Sequence, residues 1–581
     1  MARFGLLVLP VAALVLSAYG NNAAKQRTAP VKLPEFTVRG FQEEYEGVNA
    51  NVYLGIPYAT PPVGDLRLEK PVPLGTSEKT IDALEYSPTC YQQENYAPEV
   101  PHSEDCLKIN IITPTTPPPP EGFPVLFWIH GGGYMYGGNR LYGYRPYIRD
   151  YTSRDVIYVN FQYRIAFYGF FTTNTTANPG NLGLWDQSEA LKFVKRNIKA
   201  FGGNPNQITV GGHSAGAGST NNLVLSPITR DLFINSIQQS GDSFGAWNLR
   251  PDLVEFSKTV AKDIGCTQFN DVELKKCLKK KADPVLEKLK NYPYAPADLA
   301  VCNWSPILDA EFFGGKTVLE LIAEAPVKPV IYIIDSGEGL LFTLKTNNLI
   351  GSVFTYNYGQ WPQLAHRYTR ENFEHDLRKL VAKEERVPKD KVEAFVNDVL
   401  INYLDANYDG KEDVYYWRRF TDVISYILFE VPIIENIRAR LPYGWNNQYV
   451  LLWDYLREED IYNVRYRAAA HGYEYPWISE TSIYYDISLP FTDYENELIQ
   501  TWAENIATFV KTGKPKSDWP AVTDNEHVPY LGFMQDQVEV GSTFFDHIKY
   551  WEDALVKYNV LWNSINKEPY LKPVKIVKTE L

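Results

Sequence analysis

The sequence predicts an α/β fold: a large, mostly parallel mixed sheet with helices on both faces. Three apolar runs, at 124–129, 207–211 and 329–335, read as buried strands. Each leads into a glycine-bearing turn: His130-Gly131-Gly132-Gly133, Gly212-His213-Ser214-Ala215-Gly216 and Ser336-Gly337-Glu338-Gly339. Turns at strand ends are where open α/β sheets gather their reactive groups. The 581 residues are 45% apolar, ample for one large core, and no Ser/Gly linker or internal repeat divides them.

Residues 1–20 read as a secretory signal, with Arg3 before the apolar stretch from Phe4 to Leu16 and small residues at Ala18 and Gly20 for cleavage. One domain is expected over 21–577. The proline cluster from Pro114 to Pro120 reads as a surface turn between strands. After the strand at 124–129, three glycines allow backbone N–H groups to come within hydrogen-bond range of a substrate oxygen, which is the requirement of an oxyanion hole.

The run Gln207-Ile208-Thr209-Val210-Gly211 reads as a short strand, and Ala215 to Thr220 as the opening of a helix. Ser214 lies between them, in the strand–turn–helix context of a nucleophile elbow. Gly212 and Gly216 leave room where a Cβ would clash. A serine nucleophile needs a base, and the base needs an orienting acid. The acid is expected downstream, at Glu338 or at its rival Asp335, both at the end of the 329–335 run. Of eight histidines, His471 and His366 are the candidate bases. His471 follows Ala468-Ala469-Ala470, precedes Gly472 and lies beyond the strand-like 449–453, and spacing favours it. The charged stretch from Arg370 to Arg386 reads as an exposed helix carrying His375.

These residues match a known family. The chain resembles the type-B carboxylesterases and cholinesterases, α/β-hydrolases, over nearly all of 35–560. The matching strings include Leu54-Gly55-Ile56-Pro57-Tyr58-Ala59, Ser103-Glu104-Asp105-Cys106-Leu107, Asn181-Leu182-Gly183-Leu184-Trp185-Asp186-Gln187, Phe201-Gly202-Gly203-Asn204-Pro205, Gln239-Ser240-Gly241 and His471-Gly472-Tyr473-Glu474. The resemblance implies an α/β-hydrolase fold and hydrolysis of a small-molecule carboxylic ester. Ser214 would be the nucleophile, Glu338 the acid and His471 the base. The N–H groups of Gly132, Gly133 and Ala215 would form the oxyanion hole, Ser240 would stand near the acid, and Trp247 would line the acyl pocket. It also implies disulfides Cys90–Cys106 and Cys266–Cys277, leaving Cys302 free. Two departures argue against choline esters. Residue 213 is His where cholinesterases carry Glu, and the loop between Cys90 and Cys106 has no tryptophan to hold a quaternary ammonium; Tyr96 is the nearest aromatic.

A net charge of −13 disfavours nucleic acid, which requires basic patches. No metal-ligand spacing such as H-E-x-x-H occurs, and the reaction needs no cofactor. Beyond the signal, no stretch reaches the roughly 18 apolar residues of a membrane span. An aromatic content of 14%, with 41 tyrosines, suits a lined gorge. Asn174-Thr175-Thr176 and Asn303-Trp304-Ser305 are N-glycosylation sequons. The last four residues, Lys578-Thr579-Glu580-Leu581, resemble a retention tail with Thr in place of Asp. Signal and tail together predict a protein of the endoplasmic reticulum lumen held by a retention receptor, most like a gut-type lumenal carboxylesterase, with secretion as the alternative. A lipid- or hormone-ester specialist and a non-catalytic adhesion relative are the rival functions. Relatives of the second kind lose catalytic positions that this chain keeps.

Overall fold

The computed structural model describes residues 26–92, 100–268, 270–281, 302–344, 362–381, 387–408, 410, 414–457, 468–480, 490–516 and 518–560. The expected signal, the retention tail and Tyr96 lie outside these residues. Eleven strands form the main sheet: β1 (Phe41–Tyr45), β2 (Val48–Pro57), β3 (Lys108–Pro114), β4 (Phe123–Ile129), β5 (Ile157–Phe161), β6 (Gly203–His213), β7 (Asn235–Gln239), β8 (Val330–Asp335), β9 (Gln448–Trp453), β10 (Tyr530–Phe533) and β11 (Val538–Gly541). Their order across the sheet is β11-β10-β9-β8-β7-β6-β4-β5-β3-β2-β1. The strands from β10 across to β5 pair in parallel. The edges β3-β2-β1 and β11 are antiparallel.

Every residue of β4, β5, β7, β8 and β9 is buried. Strands buried on both faces read as unbroken apolar runs, which is why 124–129 and 329–335 were visible in the sequence. The covering helices are α1 (Leu182–Asn197), α2 (Ala215–Leu225), α3 (Arg370–Val381), α4 (Tyr415–Ser425) and α5 (Asp493–Thr512). The alternation of side chains along the strands assigns two of them to opposite faces. Gly212 meets the backbone of α2, whereas Asn235, in register with Thr209, donates from Nδ2 to Phe509 O on α5 at 3.4 Å. α1 lies on the α2 side, where Gln187 Nε2 donates to Ser219 Oγ at 3.0 Å.

β6 is longer than the run at 207–211 indicated. It begins at Gly203, and its pairing with β4 shifts register between Gly203 and Ile208. The 370–386 stretch is helical over 370–381 but amphipathic rather than exposed: Phe373, Leu377, Leu380 and Val381 are buried, and Phe373 packs edge-on to Phe420 of α4. The disulfides Cys90–Cys106 and Cys266–Cys277 are formed, and Cys302 is free and buried. Among the described residues no helix is long and apolar enough to cross a membrane.

A buried ion pair ties the loop after β5 to α1. Arg164 donates from Nε and Nη2 to the two carboxylate oxygens of Asp186, both at 2.8 Å, and its backbone N–H adds a bond of 3.0 Å. Asp186 is fully buried and Arg164 nearly so. Removing one partner leaves the other charge buried and unpaired, which typically costs about 3–5 kcal/mol. Asp186→Ala is therefore expected to lower unfolding free energy by about that amount, as measured from the denaturant midpoint with Cys90–Cys106 and Cys266–Cys277 kept oxidised.

Candidate active site

Four neighbouring strands, β4, β6, β7 and β8, end level with one another. Ile129 pairs with Gly212, His213 with Gln239 and Gln239 with Ile333. Whatever follows each strand is thereby delivered to one end of the sheet. After β6 comes Ser214, with φ 56° and ψ −122°, and α2 starts at the next residue. A left-handed φ at a serine costs on the order of 1–3 kcal/mol and persists only where the surroundings over-determine it. Here they do. Ser214 N–H donates to Gln239 O at 2.7 Å, and Ser214 O accepts from Gly218 N–H at 2.9 Å. A Cβ on Gly216 would collide with Ile129 O, and one on Gly212 with Gly216 O. The turn is tight because two glycines permit the contact. Ser214 itself stays partly accessible.

The histidine loop, Ala468 to Glu474, reaches the same place. His471 Nε2 lies 2.8 Å from Ser214 Oγ, and His471 Nδ1 lies 2.5 Å from Glu338 Oε2. Glu338 is fully buried, and its second oxygen accepts from Asp335 N–H at 3.1 Å. Of the two candidate acids, Glu338 faces the histidine, while Asp335 points elsewhere and accepts from Gly472 N–H at 2.9 Å. Of the two candidate bases, His471 stands at the serine and His366 is exposed. His547 is paired with Glu430 instead, at 2.9 Å.

The glycine loop after β4 lies against the elbow: a Cβ on Gly131 would be 3.0 Å from Ser214 Cβ. Gly132 and Gly133 have φ of 112° and 60°, and a Cβ on Gly132 would collide with Tyr136 O. Gly131 N–H is used up, donating to Tyr142 Oη at 3.0 Å. The N–H groups of Gly132, Gly133 and Ala215 have no partner among the described residues, the last as the first turn of a helix requires. His130 anchors the loop. Its Nδ1–H donates to Gly131 O at 2.9 Å, its ring stacks on Tyr163 at 4.4 Å, and Tyr163 Oη donates to His130 O at 2.9 Å. Burial pushes the His130 imidazole down to about 4, so it is neutral.

His213 is also buried, its ring 4.8 Å from that of His471 and 4.6 Å from that of Tyr475. Burial first, and then the neighbouring His471, hold it well below the usual histidine range. Phe429 lies against His471 with ring centroids 4.6 Å apart. Behind it, at 6.0 Å, is Trp247, whose Nε1 donates to Leu428 O at 2.9 Å. Ser240 Oγ is buried without a hydrogen-bond partner among the described residues. The sequon residues Asn174 and Asn303 are 4% and 2% exposed, so the folded chain presents neither amide at its surface. No group of three or more His, Cys, Asp or Glu among the described residues could hold a metal ion.

Phe429 and the carboxyl of Glu474 carried no individual signal in the sequence. Phe429 sits in an apolar run, and the π-helical turn Tyr426–Glu430 that aims it at His471 leaves no mark in the pattern.

A sequence model described as "Carboxylesterase family" matches residues 27–551. Gut esterase 1 of Caenorhabditis elegans is 33% identical over 530 residues, covering 88% of this chain and 90% of the relative. Gut esterase 1 of Caenorhabditis briggsae is 31% identical over 88% and 91% of the two chains. A cholinesterase of Mus musculus is 30% identical, over 87% of this chain and 83% of its own.

Since the elbow depends on the contact between Gly216 and Ile129, Gly216→Ala is expected to abolish reaction of Ser214 with an active-site organophosphate while far-UV circular dichroism stays close to wild type. Mass spectrometry of the labelled peptide measures this.

Proposed function

From the premise that the chain belongs to the carboxylesterase family, and is a carboxylic ester hydrolase, we propose that it works through a serine acyl-enzyme formed on Ser214. The observation that carries this reading is the continuous hydrogen-bond line from Ser214 Oγ through His471 to Glu338. His471 Nε2 takes the hydroxyl proton as Ser214 Oγ attacks the ester carbonyl. Glu338 fixes the tautomer with the proton on Nδ1 and stabilises the imidazolium that forms. The free N–H groups of Gly132, Gly133 and Ala215 receive the developing oxyanion; one such donor is typically worth about 3–4 kcal/mol. His471 then protonates the leaving alcohol, and water repeats the cycle to release the acid.

The substrates are neutral esters. His213 is uncharged and stands where a carboxylate would attract a cation. A quaternary ammonium therefore lacks both a counter-charge there and the loop tryptophan that would hold it.

Purified protein should hydrolyse short aryl esters and lose activity to an organophosphate, with the adduct on Ser214. An adduct elsewhere, or no turnover of any simple ester, refutes the reading. His471→Ala should lower kcat by on the order of 10⁴-fold or more, and Glu338→Gln by less, because the first removes the base and the second only its orienting partner. Steady-state kinetics of the two folded variants checks the ranking.

A choline ester should show no higher kcat/KM than its neutral isostere of the same acyl group. The cation–π gain of about 0.5–2 kcal/mol seen in aromatic cages should be missing. A clear advantage for the cation would overturn the assignment of neutral esters.

A further inference from the structure

We infer that Asp335 and Glu474 share one proton in an O–H···O bond, and that this bond clamps the turn bearing Glu338 to the loop bearing His471. That makes Asp335 a positioning residue for the ester hydrolysis proposed above, on which the inference rests.

Asp335 closes β8 and Glu474 ends the histidine loop, and both are fully buried. One oxygen of each carboxyl has an ordinary donor: Asp335 Oδ2 accepts from Gly472 N–H at 2.9 Å, and Glu474 Oε1 accepts from Gln239 Nε2 at the end of β7. The remaining oxygens, Asp335 Oδ1 and Glu474 Oε2, have no donor among the described residues. Yet the two side chains lie within hydrogen-bonding reach of each other. Two acceptors facing one another in a dry interior repel unless a proton stands between them. One proton satisfies both orphaned oxygens. Glu338 adjoins the pair, but its oxygens are already engaged with Asp335 N–H and His471 Nδ1. It therefore stands outside the shared bond.

The other titratable groups facing the pair give it no strong counter-charge. Glu338 faces both carboxyls, Tyr142 and Tyr475 face Glu474, and His213 and His471 lie beyond them. Burial, followed by these carboxylates, pushes Asp335 well above the usual range, and burial takes Glu474 to about 7. At pH 6, below the value reached by Glu474, the pair therefore holds a proton, and the titration belongs to the pair rather than to either residue. Two further bonds cross the same seam, Gly337 N–H to Ala469 O at 2.8 Å and Ala469 N–H to Ser336 Oγ at 3.0 Å. The clamp is thus part of what sets the separation of Glu338 and His471.

Asp335→Asn tests this. Its amide puts a permanent N–H where the shared proton stands and leaves an oxygen for Gly472. Infrared spectra at pH 6 should show a protonated-carboxyl carbonyl band, shifted by D2O, in wild type minus Asp335→Asn and in wild type minus Glu474→Gln. Asp335→Asn should keep kcat near wild type. Asp335→Ala, checked for folding by circular dichroism, should lower kcat by on the order of 10²-fold with little change in KM. Absence of the band in both differences overturns the shared proton. Activity of Asp335→Asn well below wild type, even if Asp335→Ala does not fold, overturns the clamp. If wild type itself neither turns over esters nor labels at Ser214, the catalytic reading fails, and the infrared difference still decides the proton.

Discussion

The left-handed backbone of Ser214 is the constraint on which the rest of the site depends. A serine does not adopt φ 56° on its own. The parallel ladder of β4, β6 and β7 enforces it, because Ser214 N–H continues the pairing onto Gln239 O while α2 turns away at once. The strain lifts the hydroxyl off the end of the sheet and leaves Ala215 N–H unpaired beside it. The glycine loop after β4 can then lie flat against the elbow. Substituting larger residues at Gly212 or Gly216 would not merely crowd the turn. It would separate α2 from β4 and let the serine relax.

Electrostatics around the elbow follow from the same compactness. Three histidines lie close together, and only His471 has a carboxylate on its far nitrogen. His130 and His213 are buried without such a partner and are held neutral by desolvation. In the acyl-enzyme cycle proposed for Ser214, positive charge is therefore confined to one ring, against Glu338. Phe429, tilted against that ring at 4.6 Å, covers one side of it with apolar surface.

Much of this was legible in the sequence where the signal is local. Strands buried on both faces appear as apolar runs, and the elbow and the glycine loop appear as strings because their geometry needs glycine at fixed offsets. What depends on distant segments was not legible in that way. Asp335 and Glu338 are equally good strand-end acids on paper, and only the approach of Gly472 to one and His471 to the other separates them. The charged segment after Arg370 looked solvated because its apolar residues, Phe373, Leu377 and Leu380, are spread among Lys, Arg and Glu, yet at helical spacing they form one buried stripe. Nor does a sequon reveal whether its asparagine is buried, as Asn174 and Asn303 are.

The bond between His471 and Ser214 joins residues 257 positions apart, and that between His471 and Glu338 joins residues 133 apart. Contacts of such separation form late, after the entropy of closing long loops has been met by the growing core. The elbow needs only the segments through β7, whereas the serine proposed as nucleophile stays chemically ordinary until the last third of the chain has docked. A nascent or truncated chain would carry the elbow without a base, so turnover reports completion of the whole fold rather than of any part of it.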